Sequence, residues 1–258
     1  MMTTWLWVWA CATLPQQRLQ QPLAPLDLGY DLTLEAQFST RGEDGLQVDL
    51  GPETLALQGR VTLSQGPRYR DGSLGTVLRF DTLVDGATGE PHGLAGRAIE
   101  LRAFESGEVL EVRGLEHLAG AGRHGDVLDV LIPLFSPKVP ELGRQEEAVS
   151  TTSYPVTVVE GRGHRVDLVA RWTLGPEVAR GIQAVHYEGQ LKCKGSDLGI
   201  RVSCAGAVEG DLVGSRQDGL ARSALRLSRT VALQGPGGTL VQEQVFDAEA
   251  VLVGASSP

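Results

Sequence analysis

From Leu28 onward, apolar and polar residues alternate. Tyr30, Leu32, Leu34, Ala36 and Phe38 share one face, and Asp31, Thr33, Glu35 and Gln37 share the other. A period of two over this length predicts a strand with one face buried and one in water. The pattern returns in Leu55, Leu57, Val61 and Leu63, set against Gln58, Arg60 and Thr62. Gly66-Pro67 and Asp71-Gly72 then read as turn chemistry. Leu74 to Val84 predicts a further strand, closed by Asp85-Gly86 and Thr88-Gly89. Arg97 to Phe104 and Glu108 to Arg113 read as a hairpin across Glu105-Ser106-Gly107.

The middle of the chain breaks the rhythm. Gly120-Ala121-Gly122-Arg123-His124-Gly125 leads into an apolar run, Val127 to Ile132, which reads as one more strand. Pro133, Pro137 and Pro140 follow, and prolines at that density exclude a sheet interior. Glu141 to Ser150 is the one stretch read as a short helix. Alternation resumes with Val166, Leu168, Ala170, Trp172 and Leu174. Residues 182–194 and 200–210 form the clearest hairpin, turning at Asp197-Leu198-Gly199. Residues 220–233 and 239–253 add two strands around Gln234-Gly235-Pro236-Gly237-Gly238. The expected fold is therefore all-β: antiparallel sheets in two β-rich lobes, sandwich or half-barrel like, with little helix. The lobes span 28–132 and 151–253, joined by a proline-rich connector at 133–150 and followed by a frayed tail at 254–258.

Composition narrows the function classes. The 258 residues carry 23 basic and 32 acidic side chains, a formal charge of -9. Nucleic-acid binding rests on clustered Lys and Arg neutralising phosphates, so this balance argues against it.

The N-terminus and the cysteines change the picture more. Trp5-Leu6-Trp7-Val8-Trp9-Ala10-Cys11 is a short apolar run ending in a cysteine. Val8-Trp9-Ala10-Cys11 resembles the lipobox of a bacterial lipoprotein, although no Lys or Arg precedes it and Trp9 is bulkier than usual there. Residues 12–27 hold three prolines and four glutamines, the composition of an extended tether. Ala12 follows the cysteine in place of the aspartate of inner-membrane retention. The resemblance therefore implies lipidation at Cys11 and a periplasm-facing position on the outer membrane. Cys193 and Cys204 lie equally far from the tip of their hairpin, each on its strand's apolar face. A symmetric pairing predicts a disulfide between them, which leaves Cys11 as the odd cysteine.

Little in the chain points to catalysis. Gly120, Gly122 and Gly125 have the spacing of a dinucleotide loop but lack the expected βαβ setting. His117 and His124, with Asp126, are weak metal candidates. His186 falls on a polar strand face. No Gly-x-Ser-x-Gly elbow occurs. Glu100, Glu108 and Glu111 are carboxylates on hairpin strands that could pair as in a glycosidase. No cofactor is expected.

Gly93-Leu94-Ala95-Gly96-Arg97-Ala98-Ile99-Glu100-Leu101, Ser106-Gly107-Glu108-Val109 and the stretch Pro133 to Gly143 resemble a family of uncharacterised exported bacterial lipoproteins. Members pair two β-rich halves across a proline-containing segment. Where many continue with a Gly-x-x-Trp-like signature, this chain has Gly143-Arg144-Gln145-Glu146. The family implies no activity. The expected function is a non-enzymatic, membrane-anchored envelope lipoprotein that binds another envelope protein or supports an assembly. The alternatives are a carrier of an apolar ligand or lipid, with Leu57, Leu78, Phe80, Trp172 and Tyr187 lining its cavity, and an envelope polymer hydrolase.

Overall fold

The computed structural model describes residues 27–104, 109–114, 124–135, 139, 147–159, 162–197, 199–215 and 219–256. Their order is β1 (Asp27–Glu43), β2 (Asp49–Arg68), β3 (Leu74–Asp85), β4 (Ala98–Ala103), β5 (Val109–Arg113), α1 (His124–Phe135), β6 (Glu147–Val159), β7 (Arg162–Ala179), β8 (Ile182–Asp197), β9 (Ile200–Ser215), β10 (Gly219–Gly235) and β11 (Gly238–Ser256). The protein is all-β, as its alternation predicts.

All eleven strands lie in one sheet, in the order β5-β4-β3-β2-β1-β11-β10-β9-β8-β7-β6, and every neighbouring pair is antiparallel. The two strand-rich runs predicted on either side of the connector are both present. They join where β1 pairs with β11, from Asp27 opposite Ser256 to Glu43 opposite Thr239, so they share one sheet and one core in place of two lobes. The inner face of β1, Leu28, Tyr30, Leu32, Leu34, Ala36 and Phe38, is buried in that shared core, where Tyr30 meets Phe135 of α1. The tail expected to fray is paired through Ser256, which lies opposite Asp27.

Alternating directions along eleven strands leave the two end strands, β5 and β6, pointing the same way. The chain must therefore return from the far end of β5 to the near end of β6, and parallel strands need such a crossover. α1 supplies it, and it corrects the reading of Val127 to Ile132 as a strand. Asp129 apart, the run is apolar on all sides, and a helix with that character belongs inside a protein. Residues 127–135 are all buried, and Phe135 meets the inward ring of Tyr30 edge-on at 5.5 Å. The sheet thus curls around α1, and β5 and β6 approach to Cα separations under 8 Å without a hydrogen-bonded ladder between them.

Smaller departures have local causes. Gly66-Pro67 lies within β2 at a register shift, while the turn itself is at Asp71-Gly72. Of the predicted helix at Glu141 to Ser150, Glu147 to Ser150 form the start of β6 and the rest lies outside the described residues.

Candidate functional site

The inner face of the sheet is apolar row by row. Leu34, Ala248, Leu225, Gly210, Tyr187 and Trp172 follow one another across β1, β11, β10, β9, β8 and β7. Tyr187 stacks on Trp172, with ring centroids 4.6 Å apart, and its ring lies over Gly210. Any Cβ at Gly210 would sit 2.5 Å from that ring, so glycine is what admits the tyrosine. Burial pushes the Tyr187 phenol well above its ordinary range. All five predicted lining residues, Leu57, Leu78, Phe80, Trp172 and Tyr187, are buried in one apolar cluster with the side chains of α1.

Inside this apolar space sits a polar group drawn from four elements. Arg229 on β10 is at an inward position, two residues on from Leu227 and four on from Leu225. Its guanidinium donates to the Asp129 carboxylate of α1, and the two side chains are 2% and 1% exposed. Arg229 Nε also donates to Gln244 Oε1 on β11 at 2.6 Å, and the guanidinium lies 5.8 Å from the centre of the Phe246 ring. Gln244 Nε2 donates to Gln242 Oε1 at 2.5 Å, and Gln242 Nε2 to Thr40 Oγ1 at 3.3 Å. Lower on the inner face, Tyr187 Oη and Ser223 Oγ are buried with no hydrogen-bond partner among the described residues. The Asp129–Arg229 pair was not foreseen, yet two signs were readable. Asp129 interrupts an apolar run, and Arg229 occupies an apolar position in its strand's alternation.

A second polar cluster lies on the outer face of the β4–β5 edge. Tyr69 Oη donates to Glu100 and accepts from Arg113 Nη1 at 3.4 Å. The Arg102 guanidinium lies 4.3 Å from the Tyr69 ring centroid. It donates to Asp71 at 2.5 Å, and Nε donates to Ser73 Oγ at 2.9 Å. Arg113 pairs with Glu111 at 2.9 Å. The predicted carboxylates Glu100 and Glu111 are thus brought together, while Glu108 lies outside the described residues. Hydrogen bonding from Arg113 holds Glu111 below its ordinary pKa. Glu111, paired with Arg113 and Arg102, thus stays ionised, the chemistry of an ion-pair network.

The outer face is mainly polar, with exposed valines such as Val169 and Val251 among its charged residues. One row reads Glu35, Asp247, Arg226, Glu209, Glu188 and Arg171 across β1, β11, β10, β9, β8 and β7. Glu35 faces Asp247, and Glu188 faces Glu209, as directly opposed like charges. Part of this row and the next lines a shallow depression of about 360 Å³. His186 is on the polar face as predicted, 3.0 Å from Asp211.

Cys193 and Cys204 face each other and form a disulfide, with Cα atoms 4.8 Å apart. That separation marks a non-hydrogen-bonded antiparallel pair. Cys11, its tether to Leu26, His117 and the side chains of His124 and Asp126 lie outside the described residues. Gly125 falls in the first turn of α1, and Gly120 and Gly122 are outside the described residues. Among the described residues, no group of His, Cys, Asp and Glu is arranged to hold a metal ion, and no helix is long and apolar enough to cross a membrane.

No known protein family matches the chain, and no curated protein does either. Among solved structures it is similar to a triple mutant of the porin from Rh. blastica at 8% identity and a TM-score of 0.22, over 85% of this chain and 99% of that one. A double mutant of the same porin gives 9% identity and a TM-score of 0.21 over the same shares. Likeness at that level carries no argument about fold or function.

Proposed function

We propose that this chain is a non-enzymatic binding protein of the bacterial envelope, tethered to the outer membrane through Cys11 and meeting another envelope protein with the outer face of its sheet. The supporting observation is the outward row in which Glu35 opposes Asp247 and Glu188 opposes Glu209. Like charges directly opposite destabilise a sheet. A basic segment laid across the row relieves both repulsions at once, since Arg226 and Arg171 are two cations against four carboxylates. Capture of a partner from solubilised envelope by the wild-type chain, lost in a Glu188→Lys/Glu209→Lys variant, is the expected result; equal capture by both counts against it. For the tether, intact mass of membrane-extracted protein should show loss of residues 1–10 and acyl chains on Cys11. A mass retaining residues 1–10 without acyl chains refutes it.

A second reading, carriage of an apolar ligand inside the curled sheet, is supported by the depth of the apolar inner face and by the buried Arg229 within it. Its first test is native mass spectrometry of the purified protein, which should show co-purified lipid.

A further inference from the structure

α1 fills the interior with an unexpected composition. Of residues 127–135, Asp129 alone brings a charge, and it is buried against Arg229. Packing does not require such a pair: apolar replacements of similar volume are often neutral or stabilising. Arg229, moreover, is oriented from the sheet side, by Gln244 on the neighbouring strand and by the Phe246 ring. Its guanidinium is therefore set to receive a carboxylate whether or not α1 provides one.

The dimensions match a second occupant. From Arg229 the inner face of β10 continues through Leu227 and Leu225 to Ser223, six residues and about 20 Å away along a strand. The twelve residues of α1 cover a similar length, about 18 Å. At the far end lies the buried hydroxyl of Ser223, and that of Tyr187 lies beside Gly210 in the row of Leu225.

We propose that the interior is a binding site for a long-chain carboxylate, a fatty acid, and that α1 is its built-in substitute. The Asp129 carboxylate holds the place of the ligand's head group on Arg229, and the apolar side chains of α1 hold the place of its acyl chain. Binding exchanges one carboxylate for another on the same guanidinium: the ligand enters, α1 withdraws, and Asp129 passes to water. No covalent bond is made or broken. The inference rests on the carrier reading and adds to it the chemical class of the ligand and the element that competes with it.

The experiment is titration of the full, disulfide-bonded chain with a fluorescent polyene fatty acid and with the alcohol of the same chain length. Asp129→Asn weakens the hold of α1 on Arg229 and should tighten fatty-acid binding about tenfold over wild type. The acid should bind about tenfold tighter than the alcohol to both chains. The double variant Asp129→Leu/Arg229→Met, which leaves no charge unpaired, should lose that preference. Equal binding of acid and alcohol by the wild type overturns the inference and leaves the carrier reading standing; no binding of either overturns both. Should Asp129→Asn fail to fold by near-UV circular dichroism, the comparison of wild type with the double variant decides: an unchanged preference refutes the role of Arg229.

Discussion

At the scale of single residues, the buried ion pair dominates. Removing Arg229 leaves the Asp129 carboxylate in an apolar interior, and breaking one side of such a pair costs about 3–5 kcal/mol. Chemical denaturation of Arg229→Ala should show a loss of that size, and Asp129→Leu/Arg229→Met should recover most of it. A double variant as unstable as the single would mean that the charges, and not their mismatch, hold the fold. Gly210 tests packing instead of charge. Gly210→Ala pushes a methyl group into the Tyr187 ring and should cost about 1–3 kcal/mol, the range of overpacking. Legibility at this scale was uneven. The facing of Cys193 and Cys204 could be counted from the hairpin tip, because the period of a strand is fixed. The pairing of Asp129 with Arg229 joins positions 100 apart in sequence. No local periodicity encodes such a contact, although each residue was marked by sitting where an apolar one was expected.

At the scale of elements, most strands were legible, while β6 and the helix were not, the start of β6 having fallen in the stretch read as a helix. Each strand keeps one face in water, so its alternation survives in the sequence. Residues 127–135 of α1 are buried throughout, and a short apolar run of that kind has no period to betray it. The prolines after it misled as well, since Pro133 lies within the helix itself. The disulfide makes an element-scale prediction. It links strands already joined by a tight turn at Gly199, whose φ of 83° suits a glycine. The loop it closes is short, so Cys193→Ala/Cys204→Ala should cost only about 2–3 kcal/mol. Hydrogen exchange should place that loss in β8 and β9. Equal acceleration of exchange in β1 and β11 would show that the bond stabilises the whole sheet.

For the whole molecule, the joining of β1 to β11 could not be read from local pattern, because two covered runs look alike whether they cover each other or separate partners. One consequence of the single curled sheet is its response to acid. Its outer face carries carboxylates held below their ordinary range: Asp71 chiefly by the Ser73 hydroxyl, Asp85 by the Thr88 and Ala87 backbone amides, and Glu111 by Arg113. A carboxyl whose pKa is lowered by folding stabilises the folded state above its unfolded value, about 3.9 for Asp and 4.3 for Glu. That contribution is lost as the pH falls through the lower, folded value. The net charge acts in the opposite sense, since protonating other carboxylates relieves the self-repulsion of a chain at -9. Between neutral pH and about 5 neither effect is large, because these groups remain ionised in both states. Below about pH 4 the lost hydrogen bonds outweigh the relieved repulsion, which salt and solvent already weaken. The melting temperature should therefore be level from pH 7 to 5 and fall below 4. Asp71→Asn/Glu111→Gln should melt lower at pH 7 and fall less steeply in acid; an unchanged acid slope would assign the acid response to other groups.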